Sequence, residues 1–121
     1  MKLFDSELKV MAVLWRRGDT TAKEISDILK EEIGWNMNTT YTVIKKCIAK
    51  GAIERREPHF LCCALVPRED VQAEETRELM DKLFDGAPEL MFASLVSGRK
   101  LTAEQIERLR ALVDELERGE A

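Results

Sequence analysis

Asn38, Tyr41, Thr42 and Lys45 recur at steps of three, one and three, a spacing that sets them on one face of a helix. An asparagine amide donates and accepts at once and can pair with adenine. A threonine methyl meets the methyl of thymine, and a lysine reaches guanine or a phosphate. A polar helix face is otherwise only a solvated surface, usually a mixture of Glu and Lys. Between Asn38 and Gly51 there is no acidic residue, although the 121-residue chain carries a net charge of -4. Lys46 and Lys50 flank the face, where they would neutralise phosphates. Carboxylates there would be repelled by a nucleic acid, so their absence points to the wall of a DNA groove.

Other chemistries lack the parts. There is one histidine, His59, no Gly-rich phosphate loop, and no nucleophile with a recognisable base partner. The expectation is a protein that is not an enzyme and needs no cofactor. Three cysteines, Cys47, Cys62 and Cys63, make an odd count that argues against a disulfide framework and suits a reducing compartment. Cys62 and Cys63 are neighbours in the strand-like run "HFLCCALV". Strand neighbours point to opposite faces, so the pair chelates poorly; both read as structural thiols, and no metal site is expected.

The elements that must position this face follow from periodicity and caps. Phe4, Leu8, Met11 and Trp15, widened by Leu14, form the stripe of a first amphipathic helix, with Asp5 as N-cap and Gly18 as its stop. In "TAKEISDILKEEIG", Thr21 and Glu24 spell a capping box, and Ala22, Ile25, Ile28 and Leu29 form a buried face ending at Gly34. The third helix runs from an N-cap at Asn38 to Gly51, with Val43, Ile44, Cys47 and Ile48 inward. Beyond it, strand formers at 52–56 and 60–65 are parted by Pro58, which marks a turn. Arg55 and Arg56 lie where a wing would reach a DNA backbone, and His59 sits at its tip, either touching a phosphate or standing idle in solvent. Three short helices and a hairpin are the order of a winged helix-turn-helix.

The remainder is helical again. Pro67 opens one helix that ends at Gly86, and "APELMFASLVSGRK" gives a short apolar one. Thr102 and Gln105 cap a last helix carrying Ile106, Leu109, Val113 and Leu116 at coiled-coil spacing for two heptads. Such helices are marginal alone, so Leu90, Met91, Leu95, Ile106, Leu109, Val113 and Leu116 are assigned to a dimer interface. Residues 1–68 hold 12 Lys+Arg against 9 Asp+Glu, and residues 69–121 hold 7 against 14. This asymmetry supports a DNA-binding domain over 1–68 and a helical dimerisation domain over 69–121. The fold class is mainly α with a small β-hairpin. No apolar run approaches the roughly 20 residues of a membrane span, and "MKLFDSELKV" has no signal-peptide core; a cytoplasmic location is expected.

"ELKVMAVLW", "TTYTVIKKCIAKG" and "PRED" resemble the penicillinase and methicillin-resistance repressor family (BlaI/MecI-type), which includes copper-responsive repressors. The likeness covers nearly the whole chain, and the "TxYTVIKK" run is its most specific part. It implies a dimeric winged-helix repressor of a palindromic operator. Asn38, Thr39, Tyr41, Thr42 and Lys45 would then read bases, and Lys46, where the family usually has Arg, would touch the backbone. Departures are visible too. "EPHFLCC" replaces the Gly-rich wing turn of the family. Ser94–Leu95 stands where some members have a protease-cut Asn–Phe bond, and the C-terminus lacks the paired Cys-x-Cys motifs of copper sensors.

The function expected is repression through double-stranded operator DNA. Two routes to release stay open: proteolysis, with a sensor metallopeptidase as partner, or a small molecule or metal that shifts the dimer. The rival reading is a winged-helix protein–protein interaction module without DNA affinity.

Overall fold

The computed structural model describes residues 1–98 and 101–120. Arg99, Lys100 and Ala121, all within the region assigned to dimerisation, lie outside the described residues. Six helices and three short strands follow in the order α1 (Asp5–Arg17), β1 (Thr20–Thr21), α2 (Ala22–Ile33), α3 (Met37–Ala49), β2 (Ile53–Arg56), β3 (Leu61–Ala64), α4 (Arg68–Leu83), α5 (Pro88–Ser97) and α6 (Ala103–Glu117). The expected class, mainly α with a winged helix-turn-helix, is the observed one.

The chain forms two compact units, Met1–Thr76 and Arg77–Ala121. The first holds the core. Val10, Met11, Val13 and Leu14 of α1, Ala22, Ile25 and Leu29 of α2, and Val43, Ile44 and Cys47 of α3 are buried together with Ile53 and Cys62 of the sheet. The inward faces of α2 and α3 are those that spacing predicts. The face of α1 is shifted. Its helix starts at Asp5 behind an extended Phe4, so Asp5 is not the N-cap. In that extended lead-in, neighbours point opposite ways: Leu3 is buried and Phe4 is 61% exposed.

Glu7 takes the place in the core that Phe4 was expected to fill. It is 1% exposed. Its Oε1 accepts from the Phe4 N–H at 2.7 Å and from Lys50 Nζ at 2.6 Å. Burial by itself would raise the pKa of this carboxyl; the Lys50 hydrogen bond, the Phe4 amide and the charges of Lys50 and Lys46 outweigh it and hold the pKa below the ordinary value.

The sheet has one strand more than the expected hairpin. Its order is β1–β3–β2, all antiparallel, with Thr20 opposite Cys62 and Arg56 opposite Leu61. After Gly18 closes α1 at φ +83, Thr20 and Thr21 are extended, and Thr21 then caps α2 by accepting from the Glu24 N–H at 3.2 Å. The Glu24 carboxylate returns to the Thr21 hydroxyl at 2.9 Å, not to its backbone, so only half of the expected capping box forms.

The second unit contains the end of α4, α5 and α6. Pro88 opens α5. Thr102 and Gln105 cap α6 reciprocally at 3.1 and 2.9 Å, as their spacing predicts. No residue of α5 or α6 is buried among the described residues. Phe92, Leu95, Val96, Leu101, Ile106 and Leu109 line an open apolar groove of 880 Å³.

Candidate nucleic-acid interface

The site begins with the cap of α3. "WNMN" offers two asparagines, and Asn36 takes the capping role: its Oδ1 accepts from the Thr39 N–H at 2.8 Å. Asn38, expected as the cap, lies instead in the first turn with its side chain exposed. Because Asn36 has satisfied the helix end, the Asn38 amide makes no hydrogen bond among the described residues and can meet an outside partner. Thr39, Thr42, Lys45 and Lys46 are also exposed, and neither Lys45 nor Lys46 makes a salt bridge there. The N-terminal turn of α3 contains no acid, and the helix dipole adds partial positive charge at that end.

Three other assigned residues behave differently. Tyr41 is half-buried and packs edge-on against Phe60, with ring centroids 5.8 Å apart at 82°. Lys50 turns to the core: besides Glu7, its ammonium donates to the Lys2 carbonyl at 2.9 Å and lies 4.1 Å from the centre of the Phe4 ring. His59 is exposed at the tip of the hairpin, and with Phe60 it forms two consecutive left-handed residues, at φ +70 and +53.

The two arginines of the wing differ as well. Arg56 commits two nitrogens to Glu54 Oε2, Nε at 3.1 Å and Nη2 at 2.9 Å, which raises its pKa. Arg55 spends only Nε, on Glu57 Oε1 at 2.5 Å. Its guanidinium carbon lies 3.7 Å from the centre of the Phe60 ring. That bond, with the Phe60 N–H, holds the Glu57 carboxyl below its ordinary pKa.

Two participants escape a reading of periodicity. Asn36 is hidden because two asparagines qualify as caps. Phe60 reads as an ordinary strand residue, and its role appears only when the hairpin folds back beside Tyr41. The cysteines stay in the interior. Burial and the Glu7 charge push the Cys47 thiol up to about 12, and burial with the Cys63 charge pushes Cys62 up to about 11. Burial and a hydrogen bond to Asp19 also raise Cys63. Such thiols stay protonated and unreactive at neutral pH.

A winged helix with an exposed, carboxylate-free face at the start of its third helix defines the class: a DNA-binding regulator of transcription. The family model for "Penicillinase repressor" matches residues 3–115, and the chain belongs to that family. It is similar to the methicillin resistance regulatory protein MecI of Mammaliicoccus sciuri and of Staphylococcus aureus (strain N315), 23% identical over 115 residues in each case, covering 93% of this chain and 94% of the relative. The solution structure of the DNA-binding domain of the repressor BlaI superposes with a TM-score of 0.53 at 25% identity, over 57% of this chain and 87% of that one. No described helix is long and apolar enough to cross a membrane.

Proposed function

We propose that this chain binds a palindromic operator as a homodimer and represses the gene downstream until a signal releases it. The observation that carries the reading is the face of α3. Asn36 caps the helix, and Asn38, Thr39, Thr42 and Lys45 stand exposed from its first turn to its third with no acid among them. In helix-turn-helix proteins that part of the second motif helix meets base edges in the major groove. Asn38 offers a bidentate pair to adenine, Thr42 a methyl contact to thymine, and Lys45 a bond to guanine or to a phosphate. Lys46 supplies backbone charge without sequence information.

Two-fold operator symmetry requires two copies of α3, and the uncovered apolar faces of α5 and α6 supply the reason to pair. Leu90, Leu95, Ile106, Val113 and Leu116 are all exposed in the single chain. Release by a sensor metallopeptidase or by a small ligand is compatible with this arrangement. The test is competition between a palindromic duplex from the chain's own promoter and the same duplex scrambled. Two chains per palindrome and at least a hundredfold preference are expected. Equal affinity for both duplexes would overturn operator recognition and leave only sequence-independent DNA binding, and no binding to either leaves the interaction-module reading in its place.

A further inference from the structure

Arg55 and Arg56 are adjacent and look equivalent in the sequence, yet they are seated on opposite faces of β2. On a strand, Arg55 shares its face with the buried Ile53, and Arg56 shares its own with Glu54. The Arg55 face is the one that meets α3. Its guanidinium stacks on Phe60 at 3.7 Å, and the Phe60 ring takes the edge of Tyr41 at 5.8 Å. A Tyr–Phe–Arg stack therefore runs from the recognition helix to the wing. Within it Arg55 keeps both Nη groups free of intramolecular bonds among the described residues, and its side chain is 47% exposed. Arg56 has less freedom, because Nε and Nη2 share one oxygen of Glu54 and only Nη1 is without a bond among the described residues.

Resting on the DNA-binding reading above, we infer that Arg55 is the phosphate-contacting arginine of the wing, that Tyr41 and Phe60 are positioning residues that aim it, and that Arg56 contributes nothing to DNA affinity. A guanidinium held over a ring and bonded through Nε to Glu57, with both Nη groups open, has lost much of its rotamer freedom before DNA arrives. Its planar fork suits a phosphate. Tyr41 leaves the base-reading set under this inference, because its ring is turned to Phe60.

The test is a salt titration of the full chain and its variants on two duplexes, the promoter palindrome and a random sequence of equal length. Arg55→Gln should weaken binding to both and make the plot of log affinity against log salt shallower by about 2 for a dimer, one phosphate per subunit. Arg56→Gln should leave both lines where the parent's are. Tyr41→Phe keeps the ring edge and should match the parent on both duplexes. Tyr41→Leu removes the ring and should move both lines toward those of Arg55→Gln. The inference falls if the parent binds with a steep slope while Arg55→Gln is indistinguishable from it, or if Arg56→Gln flattens the line as much. Loss of operator preference in Tyr41→Phe would return Tyr41 to base reading and overturn its positioning role. A parent line of zero slope would take down the DNA-binding reading itself, and the inference with it.

Discussion

At the scale of single residues, what matters is which side chains are already spoken for. Asn38 and Lys46 are not, and they should fail differently. Asn38→Ala should cost roughly 1–3 kcal/mol of operator preference over random DNA, the range of one base contact. Lys46→Ala should weaken both kinds of DNA alike. Gel shifts on matched duplexes separate the two outcomes, and undiminished operator preference in Asn38→Ala would mean the wrong face has been assigned. Lys50 is committed to Glu7. Lys50→Met strands a buried carboxylate and should destabilise the fold by about 3 kcal/mol, while leaving the salt dependence of DNA binding unchanged. The same pair gives a pH dependence. Glu7 is held below its ordinary pKa in the folded protein. Its contribution to stability is therefore present above the unfolded value, near 4.5, and is lost as pH falls through the lower folded value. Melting temperatures across the acid range should fall more steeply for the parent than for Glu7→Gln.

At the scale of elements, the helices were legible because apolar spacing and caps repeat over whole turns. Val43, Ile44 and Cys47 are buried as their periodicity requires, and the Thr102–Gln105 box forms as spelled. What escaped was shorter than a pattern. Strand β1 is two residues long, too brief for alternation to show, and it exists because β3 offers it an edge. The choice between Asn36 and Asn38 as cap was degenerate in sequence. Phe4, read as part of the α1 stripe, is exposed because it is the extended N-cap, one residue ahead of the cap read at Asp5, and Leu3 takes the buried side of that lead-in. The wing tip is the clearest departure, since His59 and Phe60 both hold left-handed conformations without a glycine. Such a conformation costs a residue with a Cβ about 1–2 kcal/mol, partly offset for glycine by greater freedom in the unfolded chain. His59→Gly should therefore raise stability by roughly 0.5–1 kcal/mol in denaturant unfolding. An unaltered salt slope in this variant would mark His59 as idle, and a shallower one would show it on a phosphate.

At the scale of the whole molecule, the two compact units divide within α4 at Thr76 and Arg77. The first buries a continuous core and the second buries nothing among its described α5 and α6 residues. A second copy is the covering that the proposed function requires, and residues 1–76 alone should remain folded but monomeric. Sedimentation of the full chain as a monomer at micromolar concentration would contradict this. The bulk charge is no help to DNA binding, at a sequence pI near 5.2, so attraction must come from a few local cations. With Lys50 paired to the buried Glu7 and Arg56 to Glu54 on the surface, those are Lys45, Lys46 and Arg55 on each subunit, or about six phosphates for the proposed dimer. The most direct measurement is therefore the affinity of the full chain for a palindromic promoter fragment at several salt concentrations. A plot of log affinity against log salt with a slope near -5 is the expected result. A slope near zero, or no binding even at low salt, would contradict it.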